Sequence, residues 1–189
     1  MNRVLFLDRD GTINIDRGYI ANAGVLELVP GAAEAIAQAK AQGYKIALIT
    51  NQAGVAKGVI TIEGLAGIHR FIEEQIALFT NGLGFHFDDI QFCPHHPDEQ
   101  CACRKPKTLM LERAIKNLDA DVTQSWYAGD HTKDMQAAQA MGIRSALVLT
   151  GHGHNSFAEI RKNAGLPGAL KPTAVHPDLP SFIREILAL

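Results

Sequence analysis

The fold is decided by residues 4–12, which read VLFLDRDGT. The first four residues form an apolar run that ends at charged residues, a pattern typical of a short buried strand. Two acids, Asp8 and Asp10, follow the run directly. We therefore predict a strand that carries a pair of carboxylates at its carboxyl end.

Further strands and helices alternate along the chain from this first strand. Apolar runs predict strands at residues 45–50, 89–93, 125–128 and 144–149. Apolar residues at helical spacing predict helices at residues 30–42, 62–80, 107–118, 135–141 and 179–187. Strict alternation indicates a parallel sheet with helices on both faces. We predict an α/β fold, a three-layer Rossmann-like sandwich with a central parallel sheet, as one domain over residues 1–189.

The composition excludes several classes of protein. The chain has 189 residues, of which 47% are hydrophobic and 20% are charged, and its net charge is -2. A nucleic-acid-binding surface would require a clustered basic face, so no nucleic-acid partner is expected. No apolar run approaches the roughly 18 residues of a membrane span, and the run at residues 4–7 is too short for a signal-peptide core. We expect a cytoplasmic protein with no membrane partner.

Polar side chains also follow the other predicted strands. Thr50 and Asn51 end the second strand, Lys105 lies beyond the third, and Asp130 and Asp134 follow the fourth. Ligands of parallel sheets bind at the carboxyl ends of the strands. Carboxylates are preferred ligands of Mg²⁺, while a lysine and a hydroxyl can bind phosphoryl oxygens as charge develops. The sequence therefore predicts phosphoryl transfer.

These four motifs, in this order, resemble those of the haloacid dehalogenase superfamily of phosphohydrolases over residues 4 to about 150. The resemblance implies that Asp8 is the nucleophile and a ligand of Mg²⁺. It implies that Asp10 is the general acid and then the general base, and that its backbone carbonyl also contacts the metal.

The resemblance gives roles to the later motifs as well. Thr50 would hydrogen-bond the transferring phosphoryl group, with Asn51 beside it. Lys105 would hold the nucleophile and the phosphoryl group by its charge. Asp130 would bind Mg²⁺, and Asp134 would orient the metal ligands from behind.

All three cysteines of the chain lie within eleven residues, next to two histidines. An odd number of cysteines argues against a disulfide framework. Three thiolates and one imidazole form a ligand set that Zn²⁺ prefers. We predict a structural zinc site at Cys93, His95, Cys101 and Cys103, with His96 as the alternative histidine ligand. The zinc would fold this loop and position the two cations that follow Cys103.

The Cys-x-His…Cys-x-Cys-Arg-Lys-Pro combination is similar to that of a capless branch of the superfamily. This branch contains the D-glycero-D-manno-heptose 1,7-bisphosphate 7-phosphatases and the histidinol-phosphate phosphatases. The resemblance implies a phosphorylated sugar substrate, read by short loops instead of a cap domain. The residues that would bind it are Asp16, Arg17, Gly18, Tyr19, Asn51, Gln52, Ala53, Arg104 and His131.

Two departures leave the substrate open. Residues 107–113, KTLMLER, are closer to the histidinol-phosphate branch, and His131 stands where lysine or serine is often found. The heptose bisphosphate phosphatases, which act in ADP-heptose, lipopolysaccharide core or surface-glycan synthesis, are favoured because residues 16–19 match their substrate loop. Histidinol-phosphate phosphatase and a catalytically silent phosphate-binding module are the alternatives. We expect a monomer, and a flexible loop at residues 151–154 in preference to a metal site at His152 and His154.

Overall fold

Six parallel strands form the central sheet of the computed structural model, which describes residues 1–188. The strands are β1 (Val4–Leu7), β2 (Lys45–Asn51), β3 (Asp89–Cys93), β4 (Trp126–Gly129), β5 (Arg144–Val148) and β6 (Ala174–His176). Their order in the sheet is β3-β2-β1-β4-β5-β6. Because β1 pairs with both β2 and β4, the residues that follow these three strands meet at one edge. The predicted α/β fold is confirmed.

Helices cover both faces of the sheet. They are α1 (Ala32–Ala41), α2 (Ile62–Ala77), α3 (Leu109–Leu118), α4 (Thr132–Ala140), α5 (Gly153–Lys162) and α6 (Leu179–Ala188). Alternate residues of β1 enter opposite cores: Leu5 and Leu7 pack with α1, α2 and α6, while Val4 and Phe6 pack with α3 and α4. Each of these four side chains is fully buried, which stabilises the fold by about 1.5–3 kcal/mol per large apolar side chain.

Two elements near the carboxyl terminus were not predicted, namely α5 and β6. The expectation of a flexible loop at residues 151–154 was wrong, because Gly153 begins α5 and the backbone N–H of Ser156 donates to His152 O. The helix begins at a glycine and buries only Gly153, Ser156 and Ile160, so its apolar period is weak. Strand β6 has three residues at the edge of the sheet, none of them buried.

Helix α4 begins three residues before the predicted start at Met135. His131 caps the helix, because its imidazole accepts from the backbone N–H of Lys133 while Asp134 accepts from the N–H of His131. This reciprocal capping arrangement satisfies amides of the first turn. It extends the helix through polar residues that apolar periodicity does not detect.

Short segments cover the carboxyl edge of the sheet, in agreement with the predicted capless arrangement. They are residues 8–31, which include a 3-10 helix at Ala23–Val25, and residues 52–61, 94–108 and 149–152. Within residues 1–188, none of the helices has both the length and the apolar character needed to cross a bilayer.

Candidate active site

Asp8 lies at the carboxyl end of β1, the central strand of the motif region. Its side chain is 13% exposed, and its Oδ1 accepts from the backbone N–H of Arg9 at 2.7 Å and from Lys105 Nζ at 2.8 Å. Both donors contact Oδ1. Within residues 1–188, no side-chain or backbone donor contacts the other oxygen, Oδ2. The second oxygen of Asp8 is therefore available to a ligand of the pocket.

Lys105 is buried and has an acceptor for each hydrogen of its ammonium group. Nζ lies 2.8 Å from Asp8 Oδ1, 2.7 Å from Asp134 Oδ1 and 2.9 Å from the carbonyl oxygen of Ile49. Burial lowers the pKa of Lys105, but the two carboxylates outweigh burial and raise it above its ordinary value. The lysine is therefore a fixed positive charge beside Asp8.

Asn51 and Asp134 hold Lys105 in place. Asn51 Oδ1 accepts from the backbone N–H of Lys105 at 3.0 Å, and Asn51 Nδ2 donates to Lys105 O at 3.3 Å. Asp134 is fully buried, and it also accepts from Tyr127 Oη at 3.1 Å and from the N–H of His131 at 3.1 Å. Both side chains therefore hold the lysine from behind, whereas the sequence predicted that Asp134 orients the metal ligands.

Asp130, at the start of the segment after β4, lies in a close-fitting cradle of backbone. It is 2% exposed, and its Oδ2 accepts from the N–H of His152 at 2.7 Å. A Cβ atom would lie 2.1 Å from this oxygen if placed on Gly11, and 2.2 Å if placed on Gly151. Both glycines also have positive φ angles, 77° and 53°. Glycine at these two positions lets both loops approach the carboxylate.

The carboxylates form a cluster that suits a divalent cation. Oxygens of Asp8, Asp130 and Asp134 lie within 4.8 Å of one another. Burial raises the pKa of Asp8 to about 7, against the effect of Lys105. Burial and the charge of Asp8 raise the pKa of Asp130 to about 8. A hard cation would favour the ionised forms. Because the oxygens of Asp134 already have donors, Asp8 and Asp130 are the side chains that fit it.

Asp10 is held by side chains from two segments. Its carboxylate accepts from Arg9 Nε at 3.1 Å, from Arg9 Nη2 at 2.8 and 2.9 Å, from Asn14 Nδ2 at 3.0 Å and from Gln52 Nε2 at 2.8 Å. Gln52 Nε2 also donates to Thr50 Oγ1 at 2.9 Å. The sequence analysis did not predict Arg9 and Asn14 as residues that hold Asp10. The position of Arg9, a charged residue close to the end of a buried strand, was a signal that it has a buried partner.

Cys93, His95, Cys101 and Cys103 come together as predicted. The distances are 3.6 Å from Cys93 Sγ to His95 Nδ1, 3.6 Å from Cys93 Sγ to Cys101 Sγ and 3.2 Å from His95 Nδ1 to Cys103 Sγ. A tetrahedral zinc site has ligand separations of about 3.5–3.7 Å. Burial raises the pKa of the Cys93 thiol to about 12, so a cation that binds its thiolate displaces a proton.

His96 lies outside this cluster. Its side chain is 38% exposed, and its Nδ1 lies 3.3 Å from a carboxylate oxygen of Asp98. The backbone N–H of His96 donates to Glu99. The geometry therefore favours His95 over His96 as the metal ligand.

The pocket beside Asp8 gathers all of the predicted catalytic residues and several of the predicted substrate-binding residues. It is lined by Asp8, Asp10, Asp16, Thr50, Asn51, Arg104, Lys105, Asp130, His131, Lys133, Asp134 and His152. Lys133 and His152 were not predicted as site residues. Burial, with the charge of Lys133 adding to it, lowers the pKa of His131. Arg104 Nη1 is buried and has no hydrogen-bond acceptor within residues 1–188.

Five predicted substrate-binding residues lie outside this lining: Arg17, Gly18, Tyr19, Gln52 and Ala53. Arg17 is exposed and pairs with Glu27 at 2.6 Å. Tyr19 packs against Gly54, and Lys57 Nζ lies 4.7 Å from the centre of its ring. The two predicted substrate loops thus contact each other at the rim of the pocket.

Comparison with known proteins agrees with this geometry. Residues 102–181 match the family model described as HAD-hydrolase-like. The parallel sheet, the acid pair after β1 and the lysine and acids after later strands define the same class, the haloacid dehalogenase-like hydrolases.

Similar proteins of known name identify the family within this class. A D-glycero-β-D-manno-heptose-1,7-bisphosphate 7-phosphatase from Photorhabdus laumondii is 39% identical over 181 residues, which cover 88% of this chain and 94% of the relative. One from Helicobacter pylori is 41% identical over 148 residues, 78% of this chain and 84% of the relative. The chain therefore belongs to the D-glycero-β-D-manno-heptose-1,7-bisphosphate 7-phosphatase family.

Solved structures agree with this assignment. A D,D-heptose 1,7-bisphosphate phosphatase from B. bronchiseptica, crystallised with magnesium and phosphate, superposes with a TM-score of 0.86 at 32% identity, over 98% of both chains. The corresponding enzyme from Burkholderia thailandensis superposes with a TM-score of 0.70 at 26% identity, over 99% of both chains.

Proposed function

We propose that this chain is a Mg²⁺-dependent phosphatase that removes the 7-phosphate of D-glycero-β-D-manno-heptose 1,7-bisphosphate. The observation that carries the proposal is the arrangement of Asp8. One oxygen of this carboxylate binds two donors while the other stays available, between the fixed cation of Lys105 and the acid Asp130. The names of the relatives at 39% and 41% identity support the substrate.

The first chemical step is attack of an Asp8 oxygen on the phosphorus of the 7-phosphate. A bond forms between that oxygen and phosphorus, and the bond from phosphorus to the sugar C7 oxygen breaks. Asp10 donates its proton to the departing C7 oxygen. Thr50 donates a hydrogen bond to the phosphoryl group, and Lys105 stabilises the developing charge from behind Asp8. The product of this step is an aspartyl-phosphate at Asp8.

The second step releases the phosphate. Asp10, now a carboxylate, accepts a proton from water as the water oxygen attacks phosphorus. The bond between phosphorus and the Asp8 oxygen breaks, which restores the Asp8 carboxylate and the proton on Asp10. The arrangement suits this reversal of roles, because Arg9, Asn14 and Gln52 keep the Asp10 side chain in one orientation.

Mg²⁺ would be held by the side chains of Asp8 and Asp130 and by the backbone carbonyl of Asp10. When bound, it neutralises charge on the phosphoryl oxygens. The raised pKa values of Asp8 and Asp130 support this assignment, because a buried acidic pair favours a compensating cation. The B. bronchiseptica relative, crystallised with magnesium and phosphate, supports it as well.

The second phosphate of the substrate would bind on the side of the pocket that carries Arg104 and Lys133. Arg104 is a planar donor that suits phosphate oxygens, and its Nη1 is buried without an acceptor within residues 1–188. Asp16 and His131, which also line the pocket, would bind sugar hydroxyls. The product, heptose 1-phosphate, keeps the anomeric phosphate required for nucleotide activation toward ADP-heptose and lipopolysaccharide core.

The remaining substrate contacts are assigned to the two loops at the rim. Arg17, Gly18 and Tyr19 would flank the sugar from one loop, and Asn51 and Ala53 would flank it from the other, which Gln52 supports from within the protein. Support comes from the packing of Tyr19 against Gly54, which joins the loops where a sugar would enter.

We assign the Cys93, His95, Cys101 and Cys103 cluster to structural Zn²⁺. The support is the soft ligand set, whose four ligand atoms all lie within 4.8 Å of one another, with the Cys93–His95 and Cys93–Cys101 separations at the values of a tetrahedral zinc site. A monomer of one domain in the cytoplasm remains our prediction; thiols that form a metal cluster in place of disulfides suit a reducing compartment.

The substrate is tested by comparing kcat/KM, in Mg²⁺, for the β- and α-anomers of the heptose bisphosphate and for histidinol phosphate. We expect the β-anomer to be preferred and Asp8→Asn to lower its turnover by at least about 10³-fold, because the nucleophile is lost. Asp89→Asn, at the opposite end of β3, is the matched control and should keep wild-type turnover. Preference for histidinol phosphate would reassign the substrate, and full activity of Asp8→Asn would contradict the mechanism.

A further inference from the structure

Gln52 lies at the centre of a buried hydrogen-bond chain that joins Arg9 to Thr50. The Gln52 side-chain oxygen accepts from Arg9 Nη2 at 3.0 Å. Its amide nitrogen donates to Asp10 Oδ2 at 2.8 Å and to Thr50 Oγ1 at 2.9 Å. Gln52 is 8% exposed, Arg9 1% and Thr50 1%. The amide of Gln52 therefore contacts protein groups and not the pocket.

In each of these hydrogen bonds, the donor and the acceptor are fixed by the chemistry of the two groups. A guanidinium can only donate, so the group of Gln52 that faces Arg9 must be its oxygen. The nitrogen then faces Asp10 Oδ2, which accepts as a carboxylate and keeps a lone pair for this bond when Asp10 is protonated. Rotating the amide by half a turn would bring N–H groups against Arg9 and an oxygen against Asp10. The charges on both sides therefore fix the orientation of Gln52.

This fixed amide also determines what the Thr50 hydroxyl can do. A hydroxyl has one hydrogen and two acceptor lone pairs. Because Thr50 Oγ1 accepts from Gln52, its hydrogen must point toward another acceptor, and Thr50 lines the pocket beside Asp8. We propose that Arg9 and Gln52 are positioning residues that present the Thr50 hydroxyl as a donor to the transferring phosphoryl group. This inference rests on the proposed phosphatase function.

Further hydrogen bonds hold the residues of this hydrogen-bond chain in place. The N–H of Gln52 donates to Cys93 O at 2.8 Å, which ties the residue to the end of β3. The Arg9 guanidinium is also held by Asp10, which accepts from Nε and from Nη2, the nitrogen that donates to Gln52. A donor that is held before the substrate arrives does not have to reorganise during the reaction.

Gln52→Glu is the sharpest test, because it replaces the amide nitrogen by an oxygen at nearly constant shape. The new carboxylate can still accept from Arg9, but its second oxygen would face Asp10 Oδ2 without a hydrogen bond and would accept the Thr50 proton, which removes that proton from the pocket. We expect a roughly 10-fold loss of affinity for inorganic phosphate in Mg²⁺, measured by calorimetry, and a roughly 100-fold loss of kcat.

The matched control is Gln91→Glu. Gln91 is a half-buried glutamine on β3 that also donates to a carboxylate, that of Asp89. We expect Gln91→Glu to keep phosphate affinity and kcat near the wild-type values. Equal losses in the Gln91 and Gln52 variants would mean that charge alone is responsible, and would overturn the proposal.

A double-mutant cycle with Thr50→Val shows whether Gln52 acts through Thr50. In the Thr50→Val background, Gln52→Glu should change phosphate affinity by less than about 2-fold, because the hydroxyl that it controls is gone. In the Thr50→Ser background the roughly 10-fold loss should return. Equal losses in the wild-type and Thr50→Val backgrounds would overturn the proposal.

The binding measurement separates this proposal from the proposed function. It requires only inorganic phosphate and Mg²⁺, so it tests the hydrogen-bond chain even if the wild-type enzyme does not hydrolyse the heptose bisphosphate. Thermal unfolding of each variant identifies those that fail to fold. In that case Gln52→Met, which removes both hydrogen-bonding groups, takes the place of Gln52→Glu in the cycle, with the same expected dependence on Thr50.

Discussion

Lys105 illustrates how a single residue organises the site. Its three ammonium hydrogens face Asp8, Asp134 and the carbonyl of Ile49. The lysine therefore has no hydrogen left to donate to a phosphoryl oxygen while these contacts last, and it acts by charge and by orienting Asp8. Removing one partner from a buried ion pair leaves an uncompensated charge, which costs about 3–5 kcal/mol.

For single residues, the sequence predicted which side chains lie in the site better than it predicted the hydrogen bonds that those side chains make. Asp8, Asp10, Asp130 and Lys105 could be found because each lies directly after a strand or a recognisable motif. The contact of Arg9 with Gln52 joins residues 43 positions apart. Asp130 accepts a hydrogen bond from the backbone N–H of His152. Because every residue except proline has such a group, the residue type does not reveal this contact. Such contacts depend on the path of the loops.

His69 on α2 provides a prediction about pH and stability. It is 5% exposed, and burial, with the charge of Arg9 adding to it, lowers its pKa to about 4. The folded-state pKa is thus below the ordinary value of 6.5. Between these pH values the unfolded chain binds more protons, so stability is full above about pH 6.5 and falls as the pH decreases toward 4.

His69→Leu should remove this part of the acid sensitivity. The free energy of unfolding of the wild type should fall between pH 7 and pH 4 by about 3 kcal/mol more than that of His69→Leu. Urea unfolding at several pH values measures the difference. His154→Gln, at an exposed position of α5, should keep the wild-type slope. Parallel pH profiles for the wild type and His69→Leu would contradict the assignment.

At the scale of elements, the loop after β3 links the cysteine cluster to Lys105. Cys103 is separated from Lys105 by one residue, and the carbonyl oxygen of Cys101 is an acceptor for Lys107 Nζ. The carbonyl oxygens of Cys93 and Pro94 accept from the segment that follows β2. A metal in the cluster would therefore support both the lysine and the Gln52 segment.

The two adjacent histidines make a matched pair for testing this role. His95→Asn should lose zinc, measured by mass spectrometry of the metal content, and should lower the unfolding temperature and kcat in excess Mg²⁺, because the loop loses its cross-link. His96→Asn should keep all three, because His96 lies outside the cluster. Zinc retained in His95→Asn, or lost in His96→Asn, would contradict the assignment.

The elements that were missed share a physical cause. Helix α5 and strand β6 bury few apolar side chains, and α4 begins with polar residues that are stabilised by a cap. Apolar periodicity detects only elements that cover the core. The strands of the sheet centre were predicted closely because both of their faces are buried, which requires continuous apolar runs.

At the scale of the whole molecule, the sheet order brings distant motifs together. Because β1 lies between β2 and β4, residues near positions 10, 50 and 130 share one edge. The short segments over this edge leave Asp8 in an open pocket that is lined both by acids and by the cations Arg104, Lys105 and Lys133. The alternation of strands and helices in the sequence was sufficient to predict that these motifs lie at one edge of the sheet. It did not predict the contacts between the loops.

The proposed mechanism depends on covalent chemistry at Asp8, which borohydride trapping during turnover tests directly. Borohydride reduces an acyl phosphate to an alcohol, so an aspartyl-phosphate at position 8 becomes homoserine, which peptide mass spectrometry detects. We predict homoserine at position 8 in the presence of heptose bisphosphate and Mg²⁺, and none in Asp8→Asn. Turnover without reduction at position 8, or with reduction at Asp10 or Asp130 instead, would contradict the account.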